Sequence, residues 1–287
     1  MANRSPLWPA QLDHIRLDSD DAQGLAEFYC ATLGFAAMPL ADGSRLLQAP
    51  GRRLVIGDGA RASQPYSAFR LASPAQLAAL RDHLAGRGVA LLASPSPLLA
   101  AGAFAVRDPD GRLVVFGVAA GDRAPMPGGA ANALPGRLQH VVVASPRLPE
   151  MMRFYEDALG FVPSDYVHES GGNRAPTVAF YRCDPEHHSF AVFRADASRP
   201  DHHAYEARNW NDIRDWADHM AARAIKLWWG PGRHGPGNNL FFMIKDPQGY
   251  LIEISAELEI VPDGVAKRSW PHEERTLNLW GPGFMRS

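Results

Sequence analysis

The sequence predicts an α+β protein made of tandem strand–helix–strands units, two in each half of the chain, and three observations carry that prediction. First, His14 to Phe28 and His140 to Phe154 have the same spacing, and both segments run through Phe-Tyr to Leu-Gly-Phe at one offset of 126. Second, Leu80 to Leu91 lines up with Trp216 to Leu227, and Arg107 to Phe116 lines up with Lys245 to Ile254. Third, a Gly/Pro-rich stretch containing Pro125-Met-Pro-Gly-Gly-Ala-Ala-Asn separates the two copies. Chance rarely reproduces such spacings together, so the chain reads as an internal duplication. The expected layout is an N-terminal domain over 1–120, a linker over 121–136, a C-terminal domain over 137–257 and a tail over 258–287.

Each element has a local reason. Leu12-Asp-His14-Ile-Arg-Leu17 alternates as a strand does. Helical apolar spacing follows from Asp21 through Leu25, Phe28 and Tyr29 to Leu33, with Gly34 as the C-cap. The second copy repeats this as a strand at Leu138–Val143 and a helix through Met151 and Phe154 to Leu159-Gly160. In His202-His203-Ala204-Tyr205-Glu206, strand alternation sends 202, 204 and 206 to one face and 203 and 205 to the other. Asp246-Pro-Gln-Gly is turn chemistry, and Tyr250-Leu-Ile-Glu-Ile after it is a strand. The tail, with Trp270, Pro271, Trp280 and Pro282, shows neither helical nor strand periodicity. It is nonetheless too apolar to prefer water, which makes it a candidate lid or interface segment.

Bulk composition narrows the function classes. With 46% hydrophobic and 21% charged residues, the 287-residue chain is ordinary globular material. A net charge of −2 and a pI near 6.6 leave no basic footprint for nucleic acid. No apolar run approaches the roughly 18 residues of a membrane span, and Met1-Ala-Asn-Arg-Ser-Pro lacks a signal-peptide core, so a cytoplasmic location is expected. Cys30 and Cys183 make no disulfide framework and no C-x-x-C site.

Glu253 is the anomaly of its strand, a carboxylate amid Leu251, Ile252 and Ile254 that is costly to bury without a cation or donor. Two upstream strand histidines, His140 and His202, complete a set of two imidazoles and one carboxylate, which suits Fe(II) and leaves positions open for substrate and oxygen. The duplication acts as an internal control. It puts His14 on His140, Tyr66 on His202 and Val115 on Glu253, so one copy keeps a full ligand set and the other has lost two members. Copy two is therefore expected to carry the chemistry and copy one to act as scaffold.

These residues resemble a known family. The βαβββ repeats, with metal-capable residues on the first strand of one unit and on the first and last strands of the next, look like the vicinal oxygen chelate superfamily. Within it, copy two resembles the type I extradiol ring-cleaving dioxygenases of the catechol 2,3-dioxygenase and 2,3-dihydroxybiphenyl dioxygenase kind. The resemblance covers about residues 12–256, with its specific motifs mainly in 138–256. It implies four βαβββ modules forming two open β-barrel-like domains in a homo-oligomer. It implies extradiol cleavage of a small aromatic diol by O2 in aromatic degradation, with Fe(II) as cofactor and Mn(II) as the less favoured metal. The metal ligands carry over onto His140, His202 and Glu253. Arg182-Cys-Asp-Pro-Glu-His187-His188 is similar to the segment that presents the catalytic histidine, placed at His188. His234, nineteen residues before Glu253, matches a histidine that contacts a substrate oxygen.

The chain also departs from the family pattern. Met243 stands where the family has a Tyr ten residues before the ligand Glu, and Met cannot donate a hydrogen bond. Tyr250, Tyr181 or a tail residue is the expected replacement; Trp228, Trp229, Phe241 and Phe242 are expected to line an aromatic pocket, with Phe242 and Met243 among the substrate-binding residues. Asp201 replaces a histidine often found just before the second ligand. A glyoxalase-like lyase or isomerase of the same superfamily is the alternative within the fold, and it calls for a second carboxylate that the sequence does not offer. A metal-free small-molecule binding protein is the alternative of another class, and it needs no ligand triad.

Overall fold

A computed structural model describes residues 5–120, 134–170 and 174–285; most of the linker expected over 121–136 lies outside the described residues. In the first half, β1 (Ala10–Ser19), α1 (Ala22–Leu33), β2 (Ala36–Pro39), β3 (Arg45–Ala49) and β4 (Arg52–Asp58) make one module. The next comprises β5 (Ser63–Leu71), α2 (Pro74–Gly86), β6 (Leu92–Ala93), β7 (Phe104–Arg107) and β8 (Leu113–Gly117). The second half opens with β9 (Arg137–Ser145) and α3 (Leu148–Arg153), which runs into a π-helical turn at Phe154–Leu159. It continues through β10 (Val162–His168), β11 (Pro176–Arg182) and β12 (Phe190–Arg194). The fourth module is β13 (Arg199–Ala207), α4 (Trp210–Ala222), β14 (Trp229–Arg233), β15 (Leu240–Lys245) and β16 (Leu251–Ala256). Four βαβββ modules result, as the sequence led us to expect. Gly34 and Gly160 both end their helices in the left-handed region, at φ 69° and 80°, where glycine carries no Cβ penalty.

The strand order is β2-β3-β4-β1-β5-β8-β7-β6 in one sheet and β14-β15-β16-β13-β9-β12-β11-β10 in the other, with a further strand from the tail, β17 (Arg268–Pro271), beside β10, and both sheets are open. The duplication holds at the level of register. His14 pairs with Ala68 and Val115 also pairs with Ala68, just as His140 and Glu253 both pair with Ala204. The tail departs from expectation. Despite its lack of periodicity, it supplies β17 (Arg268–Pro271), which adds parallel to β10, and a short α5 (Glu274–Leu277). No helix among the described residues is long and apolar enough to cross a membrane.

Strand alternation divides the side chains between two environments. Val141, Val143, Phe242, Ile252 and Ile254 join a continuous core with the helices and with residues of the first half. Val142, Ala191 and Phe193 form a separate apolar group on the opposite, concave face, and Trp229, Phe241 and Met243 form another. A run such as Leu-Ile-Glu-Ile thus buries its isoleucines against helices and leaves Glu253 to the concave side.

Candidate metal centre

Three neighbouring strands, β9, β13 and β16, build the centre. His140 and Glu253 lie on either side of Ala204, and His202 sits two residues earlier on that same face of β13. All three are buried, and one ligand atom from each lies within 4.8 Å of the others. His140 Nε2 is 3.3 Å from His202 Nε2 and 4.0 Å from Glu253 Oε1, and His202 Nε2 is 3.4 Å from Glu253 Oε2.

The neighbours of these rings decide where their protons are. His140 Nδ1 meets the side-chain oxygen of Gln139, which can only accept, so Nδ1 carries the hydrogen. His202 Nδ1 lies 2.7 Å from Asp201 Oδ2 and likewise donates. Both Nε2 atoms are then left with lone pairs that face each other and a carboxylate. Burial, followed by the neighbouring His188 and His202, pushes His140 well below the usual histidine range, so protonation does not relieve the crowding. Three electron pairs converge in a buried space, and a divalent cation fits that donor set. Asn239 Nδ2 donates to Glu253 Oε1 at 3.1 Å and completes the outer support.

Copy one shows the same construction with one of the three ligand positions kept, at His14. His14 Nδ1 lies 2.6 Å from Asp13 Oδ2, but its Nε2 meets the Ser96 hydroxyl at 2.7 Å, and Tyr66 packs edge-on at 5.7 Å. A serine hydroxyl thus engages the nitrogen whose counterpart in copy two faces the other ligands.

A pocket opens over the centre. His188 and His234 both line it, as does Met243. The ring of His188 is 4.3 Å from that of His140, and burial, then His187 and His234, holds it well below the usual histidine range. His234 stacks on Phe241 with ring centres 3.8 Å apart and places Nε2 3.7 Å from Glu253 Oε2. Its Nδ1 is bonded to the carbonyl of Leu277 in the tail. The remaining lining is mostly apolar, including Val142, Phe180, Phe193, Trp229 and Phe284.

Three expected pocket residues are corrected. Tyr181 gives its hydroxyl to Glu156 at 2.6 Å in the helix-side core. Phe242 faces that core because Phe241 and Met243 take the concave side of β15. Tyr250 stacks on His203 and donates to Gln64 of the first half at 2.9 Å. Of the proposed replacements for the absent Tyr, the tail is the one that reaches the pocket, through His272, Thr276 and Leu277. Gln139 and Asn239 went unread in the sequence. A signal existed for the first, because each strand histidine that faces a site follows a residue able to accept its Nδ1 hydrogen: Asp13, Gln139 and Asp201.

Comparison with known proteins agrees with this geometry. A family model described as the Glyoxalase/Bleomycin resistance protein/Dioxygenase superfamily matches residues 11–116 and 137–254. Metapyrocatechase 2 of Cupriavidus necator is 33% identical over 227 residues, covering 71% of this chain and 68% of that protein. An iron-dependent extradiol dioxygenase of Rhodococcus jostii is 27% identical over 95% of this chain and 96% of its own length. Two solved structures share the fold. Homoprotocatechuate 2,3-dioxygenase from Brevibacterium fuscum has a TM-score of 0.80 at 22% identity, covering 99% of this chain and 93% of that one. The Mn(II)-bound glyoxalase from Novosphingobium aromaticivorans has a TM-score of 0.75 at 24% identity, covering 96% and 91%. With its two matched halves, its paired modules and its buried His-His-Glu set, the chain belongs to the glyoxalase/bleomycin resistance protein/dioxygenase superfamily, the vicinal oxygen chelate group.

Proposed function

We propose that this chain is an extradiol dioxygenase that opens an aromatic diol with O2, using Fe(II) held by His140, His202 and Glu253. One observation carries the reading: two imidazoles with fixed tautomers and a buried carboxylate converge at the floor of an apolar pocket that also holds two further histidines. When bound, the metal would ease loss of a diol proton and link the electron-rich ring to oxygen. The iron-dependent relative from Rhodococcus jostii supports Fe(II), and Mn(II) is the less favoured ion.

The protein's own groups have distinct tasks. His234 Nδ1 donates to the Leu277 carbonyl, so its Nε2 has a lone pair at the edge of the ligand set. It accepts the proton of a diol hydroxyl there. His188, whose ring lies 4.3 Å from that of His140, serves as acid and base at the oxygen side. Val142, Phe180 and Phe193 exclude water and fit a ring bearing an uncharged, apolar substituent. The glyoxalase-like alternative calls for a fourth, carboxylate ligand, and the metal-capable group among the described residues has three members.

The test is metal content. Protein purified without oxygen should hold about one iron per chain through the one ligand triad among the described residues. Glu253→Gln and His202→Ala should lose the iron while circular dichroism stays unchanged. Full retention of iron in both variants would overturn the site.

A further inference from the structure

A second buried histidine stands behind His188. His187 Nδ1 lies 3.0 Å from His188 Nδ1, and His187 Nε2 lies 3.0 Å from Asp165 Oδ2, somewhat off the ideal hydrogen-bond line. His187 and Asp165 are both fully buried, and neither lines the pocket. The carboxylate of Asp165 is held from its far side by β17. Arg268 donates to it from Nε at 2.8 Å and from Nη2 at 3.0 Å, and Trp270 donates from its indole nitrogen at 2.8 Å. Gly237, at φ +76°, passes so close that a Cβ there would lie 3.1 Å from His187 Nδ1. The backbone is thus shaped around this ring.

We propose that Asp165 and His187 are positioning residues for His188, fixing its ring and determining which of its nitrogens carries the proton. The inference rests on the role proposed for His188 above. A contact between two Nδ1 atoms has room for one hydrogen. Burial alone would push the Asp165 carboxyl up, but bonds from His187, Arg268 and Trp270 hold it below the usual range, so it is charged and can only accept. With its Nε2 facing that carboxylate, His187 carries a hydrogen there, and its Nδ1 accepts from His188 Nδ1–H. His188 Nε2 is left with its lone pair. The logic is that of a carboxylate orienting a catalytic imidazole, extended by one ring.

Copy one supplies a control. The pairing of β4 with β1 matches that of β12 with β9, so that Leu54 corresponds to Phe190. On that register Gly51 and Arg52 stand where copy two has His187 and His188. The half that lost its metal ligands lacks this histidine pair as well.

Two variants and two readouts test the proposal. In metal-free protein with 15N-labelled histidine, NMR should show His188 as the Nδ1–H tautomer, and Asp165→Asn should shift or broaden that signal. In the iron-loaded enzyme, Asp165→Asn should lower kcat with a catechol on the order of tenfold to a hundredfold, with iron content and KM changed by less than about twofold. Should Asp165→Asn fail to fold, His187→Phe leaves the bonds from Arg268 and Trp270 to Asp165 in place and should give the same loss of kcat. Either folded variant with the wild-type kcat, or an Nε2–H tautomer of His188 in the wild type, would overturn the proposal. A wild type that consumes no oxygen with any catechol would instead defeat the proposed function, and the NMR result would still stand by itself.

Discussion

Asp201 shows how much one side chain behind a ligand can decide. As a carboxylate it keeps the hydrogen of His202 on Nδ1 and so points an electron pair into the centre. Asp201→Asn should weaken iron binding by about tenfold to a hundredfold without unfolding the chain, as read by titration of the apoprotein. Unchanged affinity would show that the ligand geometry holds without this carboxylate. His188→Phe should keep its iron and lose turnover by roughly a hundredfold or more, the usual worth of an acid–base group. Equal turnover at saturating oxygen and substrate would remove His188 from the chemistry. At this scale the ligands were legible because three metal-capable residue types fell on three strands at offsets that the duplication checks. Tyr181 and Tyr250 were not, because what each hydroxyl finds, Glu156 and Gln64, depends on packing between segments far apart in sequence. Phe242 was misplaced for a simpler reason: within Phe241-Phe242-Met243, only the register of β15 against β16 tells which side chains share a face with Glu253.

Among the elements, the tail is the one whose sequence gave least warning. Four residues pair with β10, too few for periodicity to be read, and the rest of its contacts are with single groups. Yet it bears on both pocket histidines outside the ligand triad, His234 directly and His188 through Asp165 and His187. Leu277 bonds His234, and Arg268 and Trp270 hold the carboxylate behind His188 and His187. His272, Thr276 and Phe284 also line the pocket. Truncation after Glu259 should therefore raise KM for an aromatic diol and lower kcat together, with iron still bound because no ligand comes from the tail. Normal kinetics in the truncated enzyme would reduce the tail to a structural strap. The helices and strands before it were readable, since apolar spacing, glycine caps and the Asp-Pro-Gln-Gly turn each specify local geometry.

At the scale of the whole molecule, the two halves are joined through buried polar contacts as well as a shared core. Tyr29 of α1 stacks on His203 and reaches Asp246, and Tyr250 gives its hydroxyl hydrogen to Gln64 at 2.9 Å. Asp246 is pushed up to about 6 by burial, against the lowering effect of the backbone N–H groups of Tyr250 and Gln248 and of the Tyr29 hydroxyl. A carboxyl that binds its proton more tightly folded than unfolded stabilises most below its ordinary value near 3.8, and that contribution is lost as pH rises towards about 6. The stability of the wild type relative to Asp246→Asn should thus fall by roughly 2 kcal/mol between pH 4 and pH 6, measured by denaturant unfolding at each pH. A constant difference across that window would show that Asp246 titrates normally. The duplication made this overall layout legible, but the contacts between halves were not, since the repeat relates the copies without saying how they meet. If the triad at the floor of the copy-two pocket supports ring cleavage by oxygen, the iron-loaded enzyme should take up oxygen on addition of a neutral alkylcatechol. One O2 should be consumed per catechol, giving a ring-opened product with the mass of catechol plus O2, and Glu253→Gln should consume none. No uptake by the wild type, or equal uptake by Glu253→Gln, would contradict the account.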